Sequence, residues 1–170
     1  MTQSPAGSHR ADAPAGLRCF VLTISDTRTD ATDTSGAAIV SMLTAAGHTI
    51  AGRRIVKDDP AAIRGTVSDA VASGDHDAVI TTGGTGISVR DGTYEALSSL
   101  FDRRLDGFGE LFRALSYQEI GSAAMLSRAT AGIAGRCAIF VLPGSENAVR
   151  LAMEKLILPE IGHVVREVRR

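Results

Sequence analysis

A chain of 170 residues with 44% hydrophobic and 22% charged side chains is long enough for one domain with a sizeable core, and its composition is that of a soluble enzyme. Eighteen basic against nineteen acidic side chains leave a formal charge of −1, which excludes the basic excess that non-specific nucleic-acid binding needs. No apolar run approaches the ~20 residues of a membrane span, and residues 1–16, rich in Ala, Ser, Pro and Gly, lack a signal peptide's apolar core; they read as a disordered tail before a single cytoplasmic domain over 17–168.

Residues 17–24 (LRCFVLTI) form a first buried strand that ends in Ser25-Asp26-Thr27-Arg28. A helix starts at Asp33 or Thr34, turns Ile39, Met42, Leu43 and Ala46 to one face, and stops at Gly47. A second strand over 48–56 alternates less cleanly, which suits an edge position. Asp59 caps the next helix with Pro60 at its first position, where a missing N–H costs nothing. Ile63, Val67, Ala70 and Val71 make its apolar face, and Gly74 closes it. The third strand, 78–82, runs into Gly83-Gly84-Thr85-Gly86-Ile87-Ser88-Val89-Arg90-Asp91, and a helix begins at Thr93.

Past Asp106-Gly107, the residues Phe108, Leu111, Phe112, Leu115 and Ile120 recur as the inward stripe of an amphipathic helix. Residues 123–133 are small and polar, irregular with a short strand. Residues 137–142 (CAIFVL) are the fourth clear strand and end in Pro143-Gly144-Ser145. A final helix carries Val149, Met153, Leu156 and Ile157 inward, is interrupted near Pro159, and resumes with Ile161, Val164, Val165 and Val168. Apolar strands alternating with helices predict an α/β fold of three layers, αβα, around a mostly parallel sheet.

Cys19 and Cys137 both fall inside apolar strands, where a free thiol packs as a small hydrophobe. A disulfide between them requires neighbouring strands. His9, His48, His76 and His163 share no ligand spacing, which argues against zinc.

Ligands of parallel sheets bind beyond the carboxyl ends of the strands. Each strand here ends in a polar or glycine-rich cluster: Ser25-Asp26, Lys57-Asp58-Asp59, the run from Thr82 to Asp91, and Pro143-Gly144-Ser145. The glycine loop is the most specific, because closely spaced glycines leave amide N–H groups uncovered for an anion, and the helix from Thr93 adds a positive dipole end. The competing reading is that such loops are polar and turn-forming anyway, and Ser145 is also an ordinary helix N-cap. A P-loop is absent, and Gly84-Thr85-Gly86-Ile87-Ser88-Val89 lacks the third glycine of a dinucleotide loop. Asp58 and Asp91 are candidates to hold Mg²⁺ through one or two carboxylates, phosphate oxygens and water. Each also stands where a helix N-terminal acid would, Asp58 beside the cap Asp59 and Asp91 ahead of Thr93. Arg90 and Arg128 are candidate phosphate partners.

Thr82-Gly83-Gly84-Thr85-Gly86 with Arg90-Asp91 and Glu95-Ala96 resembles the TTGGTG…RD.T.EA signature of the MogA/MoaB molybdenum-cofactor biosynthesis proteins. Gly107-Phe108-Gly109-Glu110, Glu119-Ile120-Gly121 and Leu126-Ser127-Arg128-Ala129-Thr130-Ala131-Gly132 resemble the family's GFGE…LSRA.AG block, and Leu142-Pro143-Gly144-Ser145 its PGSP/PGNP loop. The run from Phe112 to Gly121 is more similar to the MoaB branch. The resemblance, over about 17–168, implies a MogA/MoaB-like molybdopterin-binding fold that assembles as a homotrimer, or a homohexamer in the MoaB branch. It implies Mg²⁺-dependent adenylylation of molybdopterin, with ATP as co-substrate and release of pyrophosphate, alongside other proteins of molybdenum cofactor biosynthesis.

By position, Asp58 and Asp91 match the family's functional aspartates, catalytic and metal-binding. Gly83, Gly84, Thr85 and Gly86 match its nucleotide and phosphate lining, with Pro143, Gly144 and Ser145 beside them. Ser116, Ser127 and Arg128 fall on the pterin side, with Ser25 and Asp26 from the first loop. The chain departs from the pattern at Glu146, which replaces the loop's second proline and puts a negative charge near the phosphate site unless it turns away as an early helix acid. Tyr94, a proline in many relatives, and Ser88-Val89 depart as well. Two functions of different class follow: a molybdopterin adenylyltransferase, or a non-catalytic pterin- or nucleotide-binding protein of the same pathway. A CinA-type nucleotide hydrolase domain shares the fold, but the 126–132 block speaks against it.

Overall fold

The computed structural model describes residues 16–170, so the tail expected over 1–16 lies outside the described residues except for Gly16. The strands are β1 (Arg18–Ile24), β2 (Thr49–Val56), β3 (Ala78–Thr82), β4 (Arg103–Arg104), β5 (Thr130–Ala134) and β6 (Cys137–Leu142). The helices are α1 (Thr34–Ala45), α2 (Pro60–Ala72), α3 (Thr93–Ser98), α4 (Asp106–Ile120), α5 (Glu146–Ala152) and α6 (Leu158–Arg169). One sheet runs in the order β2-β1-β3-β6-β5-β4. Its first four members are parallel, and β5 and β4 pair antiparallel at the other edge.

Helices on both faces explain why β3 and β6 are buried at every position and read as unbroken apolar runs. Alternate residues of each strand serve opposite faces. Cys19, Val21, Ile80, Phe140 and Leu142 pack with Ile39 and Leu43 of α1, Phe112 of α4, and Val149, Ile161 and Val165 of α5 and α6. Phe20, Leu22, Val79, Ile139 and Val141 pack with Ile63 and Val67 of α2 and Leu97 of α3. Three layers result. The edge position expected for the second strand holds, and its residues are at most half-buried.

Cys19 and Cys137 are buried free thiols that face opposite core clusters, on strands separated by β3. Burial, joined by the Asp77 charge, pushes each thiol up to about 12. No disulfide is reachable between opposite faces of a sheet.

Several local expectations are corrected. Residues 123–133 are mostly regular, with a 3₁₀ segment at Gly121–Leu126 and then β5. The final helix is not interrupted at Pro159: a π-helical turn over Met153–Ile157 leads directly into α6, with the proline in its first turn. There the ring needs no donor, and the widened turn absorbs the mismatch upstream. Leu111 and Ile120, expected inward, are 56% and 59% exposed. The buried residues of α4 are Gly109, Phe112 and Ser116, a narrower stripe than the apolar periodicity suggests.

Candidate functional site

After β1 the chain crosses to β2 on one side and then returns to place β3 on the other. Such a reversal opens a crevice at the carboxyl ends of the two central strands. Ser25-Asp26 and the glycine loop emerge beside each other there, because Thr23 pairs with Thr82 in register, and Thr82 with Leu142.

The first two glycines of the loop are obligatory. Gly83 has φ +110, and a Cβ on it would lie 2.2 Å from the Ile24 carbonyl oxygen. Its N–H donates to Leu142 O at 3.0 Å, so this amide anchors the loop to β6 and does not face a ligand. Gly84 has φ +64, and its Cβ would fall 2.2 Å from Thr93 Oγ1 and 3.1 Å from Asp58 Oδ1. Among the described residues none accepts from the amides of Gly84, Thr85 or Gly86. Those three donors are what the loop offers an anion. The helical dipole expected behind them is slight, since α3 has six residues and starts from Gly92 with no side-chain cap. Asp91 therefore does not cap it.

Three carboxylates converge beside the loop. The Asp26 carboxylate accepts from the Asp58 amide at 3.2 Å and from Arg90 Nη2 at 2.5 Å. The Asp91 carboxylate accepts from Ser88 N at 2.9 Å and lies against Gly86, where a Cβ would come within 2.7 Å of it. Asp58 Oδ1 is buried with no hydrogen-bond partner, as is Thr93 Oγ1, which also lies against Gly84. Burial, then the charges of Asp91 and Asp26, push the Asp58 carboxyl above the usual range, against the pull of Arg90 and the Gly92 amide. An orphaned oxygen among like charges is what a divalent cation would satisfy. Among the described residues no group of three or more His, Cys, Asp or Glu forms a cage for a metal ion. The donor set fits the Mg²⁺ pattern of one or two carboxylates completed by phosphate and water.

Arg128 serves the loop from across the chain. Its Nε donates to Gly86 O at 2.8 Å, Nη2 to Asp91 O at 2.5 Å, and Nη1 pairs with Glu95. Ser127 Oγ accepts from Ala129 N at 3.4 Å in the same connection. Pro143-Gly144-Ser145 closes the crevice's far side. Thr82 Oγ1 donates to Pro143 O at 2.7 Å, and Gly144 stands against Gly83. Ser145 caps α5, its Oγ accepting from Ala148 N at 3.3 Å. Glu146 is engaged by Arg150, which donates from Nε at 2.9 Å and Nη2 at 2.8 Å. Bonds from Arg150 and Thr34 hold its carboxyl below the usual range, so its charge is spent along the helix.

A buried network missing from the sequence reading supports that side. Asp33, 1% exposed, accepts from Gly36 N at 2.9 Å, Thr23 Oγ1 at 2.7 Å and Arg53 Nη2 at 2.9 Å. Burial works against its charge, yet these bonds and the Arg53 charge hold it below the usual carboxylate range. Arg28 pairs with Asp33 at 3.4 Å, and together with Ser35 it donates to Gly144 O. A helix start at Asp33 or Thr34 was visible in the sequence; the cap role of Asp33 and its partner on β2 were not. Ser25 Oγ accepts from Thr27 N and Arg28 N and so shapes the first loop. Ser116 is buried on α4 and lines neither cleft of the site.

Two clefts flank Arg128 and Tyr94. One, of about 470 Å³, is lined by Pro60, Ile87, Asp91, Gly92, Glu95 and Arg128. The other, of about 250 Å³, lies among Tyr94, Arg104, Asp106, Glu110, Arg113 and Thr130. A roomier groove of about 500 Å³ lies between Arg103-Arg104-Leu105 and α6. It is mostly apolar, with Arg103, Arg104, His163 and Glu167 on its lining, and sits at the antiparallel edge away from the glycine loop.

The family model described as "Probable molybdopterin binding domain" matches residues 20–163. The chain is 54% identical over 163 residues to Molybdenum cofactor biosynthesis protein B of Bacillus subtilis (strain 168), across 95% of this chain and 96% of that protein. A crystal structure of a Molybdenum cofactor biosynthesis protein B superposes with a TM-score of 0.90 at 53% identity, covering 94% of this chain and 99% of that one. The tungsten cofactor synthesizing protein MoaB from Pyrococcus furiosus superposes with a TM-score of 0.83 at 40% identity, covering 93% and 100%.

Proposed function

This chain belongs to that family of molybdopterin-binding domains of molybdenum cofactor biosynthesis, and we propose that its reaction is the transfer of the adenylyl group of Mg·ATP to molybdopterin. An oxygen of the molybdopterin terminal phosphate attacks the α-phosphorus of ATP. A new P–O bond forms, the bond from that phosphorus to the β-phosphate oxygen breaks, and pyrophosphate leaves with the electron pair.

Such a transfer asks the protein for alignment and charge neutralisation more than for covalent chemistry. The free amides of Gly84, Thr85 and Gly86 donate to phosphate oxygens. Asp58 and Asp91 would hold Mg²⁺, which when bound would supply charge neutralisation for the phosphates. Arg90, ion-paired to Asp26, adds a positive charge at the rim. Pro143-Gly144-Ser145 forms the opposite wall, with Ser25, Asp26, Ser127 and Arg128 on the pterin side; Ser116, buried and outside both clefts, is left out of that set. The observation that carries the reading is the buried, unpartnered Asp58 Oδ1 beside Asp91 and the uncapped loop amides. Because the Asp58 carboxyl holds its proton more tightly than usual, protons would compete for it, and affinity for Mg²⁺ would fall as pH drops into the carboxylate range.

Pyrophosphate release from Mg·ATP, measured with and without purified molybdopterin, tests the proposal. The wild type releases it only when molybdopterin is present, and Asp58→Asn or Asp91→Asn lowers the rate by ~100-fold or more, the scale of removing a transition-state charge partner. Release that is absent from the wild type, or unchanged in both variants, sinks it; tight binding without release leaves a binding protein of the same pathway.

A further inference from the structure

Tyr94 stands on the first turn of α3, half-buried beside the glycine loop. Two guanidinium groups lie against its ring: Arg104 Cζ is 5.7 Å and Arg128 Cζ 5.3 Å from the centroid. Both fall within the ~6 Å at which a ring face attracts a cation. Arg104 also donates from Nη2 to the Tyr94 hydroxyl at 2.7 Å, and is itself held by Asp106 at 3.1 Å.

Arg128 links this ring to the site. The carbonyls it binds, Gly86 O and Asp91 O, are the two ends of the 86–91 segment, so one guanidinium staples that segment closed. Little else does. Ile87 and Val89 are 69% and 105% exposed and add no packing. Inside the segment, Asp91 N donates to Ser88 O at 3.0 Å, and the Asp91 carboxylate accepts from Ser88 N. Among the described residues only Arg128 bridges the two end carbonyls, so the staple shares with those bonds in setting the position of that carboxylate. A flexible arginine, 27% exposed, keeps one rotamer only while its neighbours restrict it.

We propose that Tyr94 is a positioning residue of this site, whose ring holds Arg128 across the ends of the 86–91 segment and so fixes the Asp91 carboxylate. The functional half of this inference rests on reading Asp91 as a metal- and phosphate-side group; the structural half does not.

Amide exchange at Ser88 and Asp91, together with titration of Mg·ATP, tests both halves in Tyr94→Phe, Tyr94→Leu, Tyr94→Ala and Asp91→Asn. Phe keeps the ring, while Leu keeps much of the bulk without a ring face. Tyr94→Phe exchanges within ~2-fold of the wild type, whereas Leu and Ala open the segment about 10-fold faster and weaken Mg·ATP by a similar factor. Melting temperatures stay close to wild type, since a half-buried position on a short helix carries little of the core. Slow exchange in Tyr94→Leu overturns the proposal, and so does fast exchange in Tyr94→Phe. If Asp91→Asn binds Mg·ATP as well as the wild type while Leu and Ala still open the segment, the reading of Asp91 fails and the positioning by Tyr94 stands. If Asp91→Asn loses binding while Tyr94→Leu keeps wild-type affinity and exchange, the function stands and the positioning role falls.

Discussion

Asp33 and Asp58 lie near the same end of the sheet in opposite electrostatic states. Asp33 is buried but bonded on every side, and its carboxyl is held low. Its stabilisation is fully present above the unfolded value of about 4 and is lost as pH falls through the lower folded value. Asp58 is raised by burial and by Asp91 and Asp26. Its contribution is full below that unfolded value and is lost as pH rises through the folded one, so at neutral pH its ionised form works against the fold. Asp33→Ala should therefore cost roughly 3 kcal/mol at pH 7, from a lost N-cap and two arginines left near an empty site. Asp58→Asn should raise the melting temperature at pH 7 while abolishing turnover, with the gain shrinking as pH drops into the carboxylate range. Thermal melts of both variants across pH check the pair, and an Asp58→Asn protein less stable than wild type at pH 7 contradicts the assignment.

The glycine loop works as an element because each glycine meets a different obstacle. At Gly84 a side chain encounters both a left-handed backbone and the Thr93 hydroxyl beside Asp58. Gly84→Ala should cost about 2–4 kcal/mol in chemical denaturation and weaken Mg·ATP binding; a variant as stable as wild type contradicts the geometry. This loop was legible in the sequence because its signal is local: an apolar strand, clustered glycines, then Arg90-Asp91. The four parallel strands and their polar ends were legible for the same reason. Long-range bonds were not. Nothing in the local pattern says that Arg128 reaches 42 residues back to Gly86, or that Arg53 answers Asp33. The two-residue β4 is too short to show a period. Pro159 reads as a break only when the π-helical turn before it is unknown.

At the scale of the molecule, the described chain buries its strands between two helical layers and leaves apolar side chains of α4 uncovered. Leu111, Tyr117 and Ile120 of α4 are exposed, as are Met125 and Leu126 of the 3₁₀ segment beyond it. Periodicity assigned Leu111 and Ile120 to the core because an exposed apolar residue and an interior one look alike in sequence. With the expected homotrimer or homohexamer, static light scattering should give a mass three or six times 17.7 kDa, and a monomer contradicts that assembly. Among the described residues no helix is long and apolar enough to cross a membrane.

The central claim is adenylyl transfer in the crevice between β1 and β3, and following the α-phosphate of ATP tests it most directly. With ATP labelled at that phosphate, Mg²⁺ and purified molybdopterin, the wild type should move the label onto the pterin, one per pyrophosphate released, and Asp58→Asn and Asp91→Asn should not. Label that stays on ATP with the wild type, or moves equally well in both variants, contradicts the account.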